Sequence, residues 1–320
     1  MGRYILCREG GPTPVLASLQ HCPGEWPMGL LRRLYRLPLL FVLLVLGLLA
    51  LVLIQPWLPM GGRRAMVRGW SRALLGVCGV TVHEEWGGEG TVPGSENDPV
   101  SDHADGPAVA PSPAQRPAMA ATQPAATLAA LAPGRMIVAN HVSWLDVFAI
   151  NSRATSAFVA KAEIREWPVV GWLVSLAGTV YIRRGDTKAV PDVIVQMQER
   201  LRTGFPVALF PEATTHVGPT LRKFHGKLLQ AAIDEQADIL PVGLQYRYAD
   251  GTPAEAAWYV GDTTFVQSFW QVLGASGIGV RMVVMAPLGT VGEEKGALAA
   301  RARERVCVGL GLPLMPGESS

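Results

Sequence analysis

The stretch Arg135-Met136-Ile137-Val138-Ala139-Asn140-His141-Val142-Ser143-Trp144-Leu145-Asp146-Val147-Phe148-Ala149-Ile150 decides how the rest of the chain is read. Met136–Ala139 is a short uninterrupted apolar run, the pattern of a strand buried on both faces. It hands over to Asn140 and His141 at its carboxyl end. Ser143-Trp144-Leu145-Asp146 then has the shape of a capping box, which predicts Ser143 as the N-cap and Asp146 as the third helical residue. A histidine two residues ahead of such a cap lies outside the helix, where it can fold back on the Asp146 carboxylate. The spacing suits a His–Asp dyad: a neutral imidazole as general base, with the acid fixing its tautomer and stabilising the imidazolium. Taken alone, the same residues also fit a loop histidine and a first-turn acid complementing the helix dipole.

The motif of an apolar strand delivering polar residues at its carboxyl end recurs downstream. Residues 157–160 form a strand ending at Lys161, and residues 178–182 run into Arg183-Arg184-Gly185-Asp186. Two cations at a strand end followed by glycine can hold an anion or form a solvated turn. Residues 187–203 have helical periodicity closed by Gly204, and the strand at 206–210 delivers Pro211-Glu212-Ala213-Thr214-Thr215-His216. A further strand at 239–245 carries Pro241, which predicts an irregular edge. A strand at 279–285 and a terminal helix at 295–310 complete the pattern, and 80–86 alternates as the first strand. The class is therefore α/β, a central mixed sheet flanked by helices, with the site at the carboxyl ends of the strands.

Upstream, residues 37–54 hold no charge and are dominated by Leu and Val, at the lower limit of what crosses a hydrocarbon core. About 36 residues precede this run, which disfavours a secretory signal. Arg32, Arg33 and Arg36 flank it on one side, and Arg63, Arg64, Arg68 and Arg72 on the other. Such symmetry leans only slightly towards a cytoplasmic C-terminal domain. It fits a single membrane helix or a re-entrant pair with 63–80 as a basic second helix. The expected organisation is an N-terminal segment 1–36, a membrane-anchoring helix or helix pair 37–78, and a domain 79–320. Residues 87–134, rich in Gly, Pro, Ala and Ser, read as a disordered insertion with a frayed Ala-rich helix near 119–132.

Composition excludes several functions. A net charge of +2 over 320 residues gives no footprint for nucleic acid. Cys7, Cys22, Cys78 and Cys307 are scattered without a Cys-x-x-Cys pair, and His141, His216 and His225 stand at no zinc spacing. There is no Gly-x-Ser-x-Gly elbow and no Gly-rich phosphate loop. A base without a protein nucleophile suggests that a substrate hydroxyl attacks an activated acyl group directly. The membrane anchor suggests that the hydroxyl belongs to a lipid.

Four blocks in order over residues 135–245 resemble the glycerophospholipid acyltransferase family, best known for 1-acylglycerol-3-phosphate acyltransferases. Asn-His-x4-Asp is matched by Asn140, His141 and Asp146; Gly-x-x-Phe-Ile-x-Arg by Gly178, Tyr181, Ile182 and Arg184. Phe-Pro-Glu-Gly-Thr-Arg-Ser appears as Phe210, Pro211, Glu212, Ala213, Thr214, Thr215 and His216, and the fourth block as Ile239-Leu240-Pro241-Val242. The resemblance implies that His141 is the catalytic base and Asp146 its partner. Arg184 and Glu212 would position the acyl acceptor, and Asn140, Thr214 and Arg183 would complete the substrate-binding set. The implied donor is acyl-CoA or acyl carrier protein, with no metal and no cofactor. The implied product is phosphatidic acid, made from 1-acylglycerol-3-phosphate at the cytoplasmic side of a bacterial inner membrane. Amides of the helix from 144 onward are candidates to stabilise the oxyanion.

Two departures bear on the acceptor. Ala213 replaces the glycine of the third block, so a positive φ there carries strain. Thr215 replaces its arginine, and a hydroxyl cannot supply a bidentate, charged grip on phosphate. Either Arg183, Arg184 or Arg222 compensates, or the acceptor is another lysolipid such as lyso-ornithine lipid, whose acyltransferases carry Thr at this point. A non-catalytic membrane-anchored binding protein on the same fold is the alternative of a different class.

Overall fold

A computed structural model describes residues 26–88, 127–162, 166, 179–182 and 190–314 of the chain. Its apolar runs form β1 (Val80–Gly88), β2 (Met136–Ala139), β3 (Ala157–Lys161), β4 (Val180–Ile182), β5 (Val207–Leu209), β6 (Ile239–Arg247) and β7 (Ile278–Met285). They make one sheet in the order β1-β7-β6-β2-β5-β3-β4. Among the described strands only the β6–β7 pair is antiparallel; the other neighbours run parallel, so the sheet is mixed.

The helices are α1 (Trp26–Leu49), α2 (Met60–Val77), α3 (Leu128–Leu131), α4 (Leu145–Arg153), α5 (Val190–Arg202), α6 (Gln230–Asp234), α7 (Phe265–Gly274) and α8 (Lys295–Leu310). Two apolar clusters cover the two faces of the sheet. One collects Leu40, Leu74, Leu75, Leu145, Ile150, Val272 and Leu273, from α1, α2, α4 and α7. The other collects Val193, Met197, Ala231, Leu298 and Val306, from α5, α6 and α8. Burial on both faces explains why the central strands are continuous apolar runs instead of alternating ones.

Three expectations are corrected. Pro241 lies on β6, an interior strand, where it pairs with Val138 of β2. It is tolerated because the β6–β7 ladder breaks there: Val242 opposes Val284, but the next bridge pairs Ile239 with Leu288. The missing N–H falls in that irregularity. The segment read as a loose insertion is ordered at both described ends. β1 reaches Gly88, and α3 buries Leu128 while its amide donates to the Glu84 carboxylate. The remainder, 89–126, lies outside the described residues. Finally, the membrane-type helix begins at Trp26, inside the segment expected to precede it.

That helix also uses its arginines differently. Arg32 donates to Gly274 O (3.1 Å), Arg33 to Trp270 O (3.1 Å), and Arg36 to Leu273 O (3.0 Å) and Ala275 O (2.6 Å). Arg36 is only 6% exposed. These cations satisfy the last carbonyls of α7, which carry the negative end of its dipole. They are contacts within the fold, so counting them as topology signals overstates their weight. After Trp57 the chain turns back into α2, which lies along the domain: Thr155 donates to Arg64 O (2.9 Å) and Arg72 to Ser152 O (2.9 Å). Arg64 stacks over Phe205 at 4.7 Å. Trp70 of α2 donates to Leu43 O (3.2 Å), tying the two helices together. The hairpin is thus held to one domain at both ends, with the outer face of α1 exposed.

Candidate active site

β2 sits between β5 and β6, and that order assembles the site. β2 delivers Asn140 and His141, β5 delivers Phe210 and Glu212, and β6 delivers Leu244 and Tyr246. All three groups meet at one end of the sheet because β2 runs parallel to both neighbours.

His141 Nδ1 lies 2.8 Å from Asp146 Oδ2. The same oxygen accepts the amides of Val142 (2.7 Å) and Ser143 (2.9 Å). The other oxygen accepts the Tyr246 hydroxyl at 2.6 Å. Asp146 is fully buried, and three donors besides the ring fix it as an acceptor. In a neutral His141 ring this acceptor selects the tautomer with the proton on Nδ1, which leaves Nε2 with a lone pair. Of the two partners the imidazole is the part-exposed one, at 22% of its side chain. It stacks on Phe210 with centroids 4.1 Å apart and planes 9° from parallel, which holds the ring at its angle.

The capping box forms in half. The Asp146 carboxylate reaches back to Ser143 N as expected, but Ser143 Oγ takes the Leu145 amide (3.3 Å) and its carbonyl takes that of Asp146 (3.2 Å). The helix therefore opens one residue later, at Leu145. The amides of Leu145 and Asp146 are already bonded, which removes them as oxyanion donors.

Asn140 and Glu212, expected among the substrate contacts, have other partners. Asn140 pairs with the backbone of Leu244 through both ends of its amide: Nδ2 donates to Leu244 O (2.9 Å) and Oδ1 accepts Leu244 N (2.7 Å). It thereby continues the β2–β6 ladder by one rung. Glu212, 4% exposed, accepts His141 N at 2.8 Å and Arg222 N at 3.2 Å. Burial pushes its carboxyl above the usual range, opposed by those two amides. Both side chains brace the backbone beside His141.

Ala213 takes φ = +60°, so the turn keeps the glycine-type conformation despite its Cβ. Thr214 and Thr215 follow, part-buried, and His216 N closes the loop on His141 O at 2.7 Å. The His216 ring is pulled below its ordinary range by burial and by the nearby Arg222 charge. A shallow cleft opens beside Asn140, lined by Val142, His216, Tyr246, Arg247 and Trp258. Arg183 and Arg184 lie outside the described residues.

Sequence reasoning missed Tyr246 and α7. Tyr246 stands in step with Val242 and Leu244 on a buried strand, and a tyrosine there needs a hydroxyl partner. Burial and Asp146 hold its hydroxyl well above the ordinary phenol range, so it stays a donor. From α7, Ser268 Oγ accepts Trp144 Nε1 (3.2 Å), and Phe265 and Phe269 pack on the same indole.

The family model described as Acyltransferase matches residues 126–245. The lyso-ornithine lipid O-acyltransferase of Pseudomonas aeruginosa is 35% identical over 175 residues, 54% of this chain and 66% of that one. The 1-acyl-sn-glycerol-3-phosphate acyltransferase of Neisseria meningitidis is 36% identical over 149 residues, 47% and 58% respectively. The chain thus spans about 58 to 66% of the length of these curated relatives. The crystal structure of the 1-acyl-sn-glycerophosphate acyltransferase PlsC from Thermotoga maritima superposes with a TM-score of 0.55. It covers 91% of this chain and 99% of its own, at 18% identity, and so shares the fold.

Proposed function

Because the chain belongs to the glycerophospholipid acyltransferase family, we propose that it moves a fatty acyl group from a thioester donor to the free hydroxyl of a lysolipid. The donor is acyl-CoA or acyl carrier protein. The observation that carries the reading is the His141 ring, whose Nδ1 is bound to a carboxylate with three further donors. That arrangement leaves Nε2 as a base. Nε2 takes the acceptor's hydroxyl proton as its oxygen bonds to the thioester carbon. The carbon–sulfur bond then breaks, and the leaving thiolate recovers the proton from the imidazolium. Asp146 stabilises that imidazolium without itself taking the proton. The complete dyad supports catalysis over a purely binding scaffold.

The acceptor suggested first is 1-acylglycerol-3-phosphate, giving phosphatidic acid. On that reading Arg222, whose charge already acts on His216, joins Arg183 and Arg184 in holding the phosphate. Thr215 favours a second reading, a lysolipid without a glycerophosphate, such as lyso-ornithine lipid, since the turn lacks the guanidinium that grips phosphate.

The hairpin of α1 and α2 supports in-plane insertion at the membrane. Among the described residues, α1 with its continuation to Trp57 is the helix long and apolar enough to cross a bilayer. Yet its first turns are bonded to α7, and α2 returns along the same domain. A helix held this way inserts sideways into one leaflet. A soluble thioester donor would place the domain on the cytoplasmic side of the inner membrane.

The test is purified full-length protein offered a panel of lysolipids with both thioester donors, reading thiol release and acylated product. Transfer to one acceptor, with one thiol released per product, is expected. Absence of transfer to every acceptor overturns the reading.

A further inference from the structure

We propose that the outer face of α7 is a second bilayer contact, seated at the headgroup–acyl boundary of the leaflet that takes α1. Phe265–Gly274 contains no charged residue. Its inward side is committed: Phe265, Ser268 and Phe269 hold Trp144, and Val272 and Leu273 enter the core. Its outward side presents Val266 (73% exposed) and Trp270 (45% exposed), flanked by the uncharged Gln267 and Gln271.

Isolated exposed apolar residues are ordinary; continuity with a larger apolar surface is what distinguishes this pair. Arg33 of α1 lies over the Trp270 ring at 4.6 Å and bonds its carbonyl, so the two helices meet at that indole. Beside Arg33 on α1, Met28, Leu30, Leu31 and Leu34 are all more than half exposed. The exposed apolar residues of α1 therefore neighbour those of α7, with the Arg33 guanidinium over the indole where the two helices meet. The opposite face of the sheet looks different. There Arg202 of α5 pairs with Glu199 and with Glu235 just after α6, and Arg301 of α8 pairs with Glu293, the composition of a watered surface.

A bilayer fits this face better than a second copy of the chain. Trp, Gln and an arginine over the indole suit headgroup depth, where an amphipathic ring has one end apolar and the other wet. The neighbouring α1 already presents far more apolar surface than one small helix face could cover. The consequence, which rests on the acyltransferase reading, is that the loop from His141 to Trp144 sits at lipid level. The acceptor's hydroxyl then reaches His141 without the lipid leaving its leaflet.

The test reads position, not activity. In full-length protein with Cys7 and Cys22 replaced by serine, Val266→Cys carries an environment-sensitive fluorophore. The protein is bound to phosphatidylethanolamine–phosphatidylglycerol vesicles containing lipids with a nitroxide near the carbonyl end of the acyl chain. The same label at Val195, exposed on the opposite face, is the reference. Severalfold stronger quenching at 266 than at 195 is expected. In addition, Trp270→Glu should weaken vesicle partitioning about tenfold, while Val195→Glu leaves it unchanged. Equal quenching at the two sites, no effect of Trp270→Glu, or failure to bind vesicles overturns the proposal. So does a 266 label already shielded before lipid is added in protein that sediments as a dimer. Acyl transfer on the same samples is scored separately, so inactive protein with a quenched 266 label would refute the enzymatic reading and leave the contact standing.

Discussion

Two buried carboxylates flank His141, and they are used in opposite ways. Asp146 meets side chains: the imidazole on one oxygen and the Tyr246 hydroxyl on the other, with two amides completing its shell. Glu212 meets main chain, accepting the amides of His141 and Arg222. Both acids are equally hidden, so burial alone does not separate a group that tunes a base from one that holds a loop. The identity of the donors does.

Substitutions can break that comparison. Asp146→Asn should lower kcat by roughly three to four orders of magnitude, as expected when an imidazole loses the acid that fixes its tautomer. Steady-state kinetics on detergent-solubilised protein would measure it. Glu212→Gln should act mainly on stability, costing about 1–3 kcal/mol by leaving one buried amide facing an NH2 group, with kcat down about tenfold at most. If Gln at 212 were as damaging to kcat as Asn at 146, the assignment of Glu212 to positioning would fail.

The same variant has a pH signature. The folded state raises the Glu212 acid above its ordinary range, so it favours the protonated form. That contribution is fully present below the ordinary carboxylate range and disappears as pH rises through the elevated midpoint. The stability gap between wild type and Glu212→Gln should therefore narrow with rising pH, which thermal unfolding across the acid range would reveal.

Two smaller effects sharpen the picture. Tyr246→Phe removes one donor to Asp146 and should reduce kcat about five- to tenfold with KM unchanged, equivalent to about 1 kcal/mol. A rise in KM instead would place Tyr246 on the substrate. Ala213→Gly relieves a left-handed alanine and should raise unfolding stability by about 1 kcal/mol without altering kinetics. A melting temperature that does not rise would show that the turn is unstrained.

Much of this was legible from residue pattern. The strand-then-polar rhythm located β2, β5 and β6, and Lys295–Leu310 is the terminal helix as read. His141 and Asp146 are five residues apart, so local geometry nearly dictates their meeting. What escaped was long-range. Tyr246 reaches Asp146 across 100 residues, and Arg36 reaches Leu273 across 237. Neither partner leaves a mark on the local pattern of the other. Pro241 misled because a proline usually signals an edge, whereas here a ladder break on an interior strand absorbs it. The backbone bonds of Asn140 and Glu212 were equally invisible, because residue chemistry does not tell which main-chain groups a side chain will meet.

The most direct test is acyl transfer by His141→Ala beside wild type, with unfolding followed on the same preparations. The residue's bonds to Glu212 and His216 run through its main chain, so alanine keeps them and the fold should persist. The expected result is a loss of at least about a thousandfold in kcat with a similar melting temperature. Wild-type activity in a folded His141→Ala protein would contradict a proton-abstracting role for this ring.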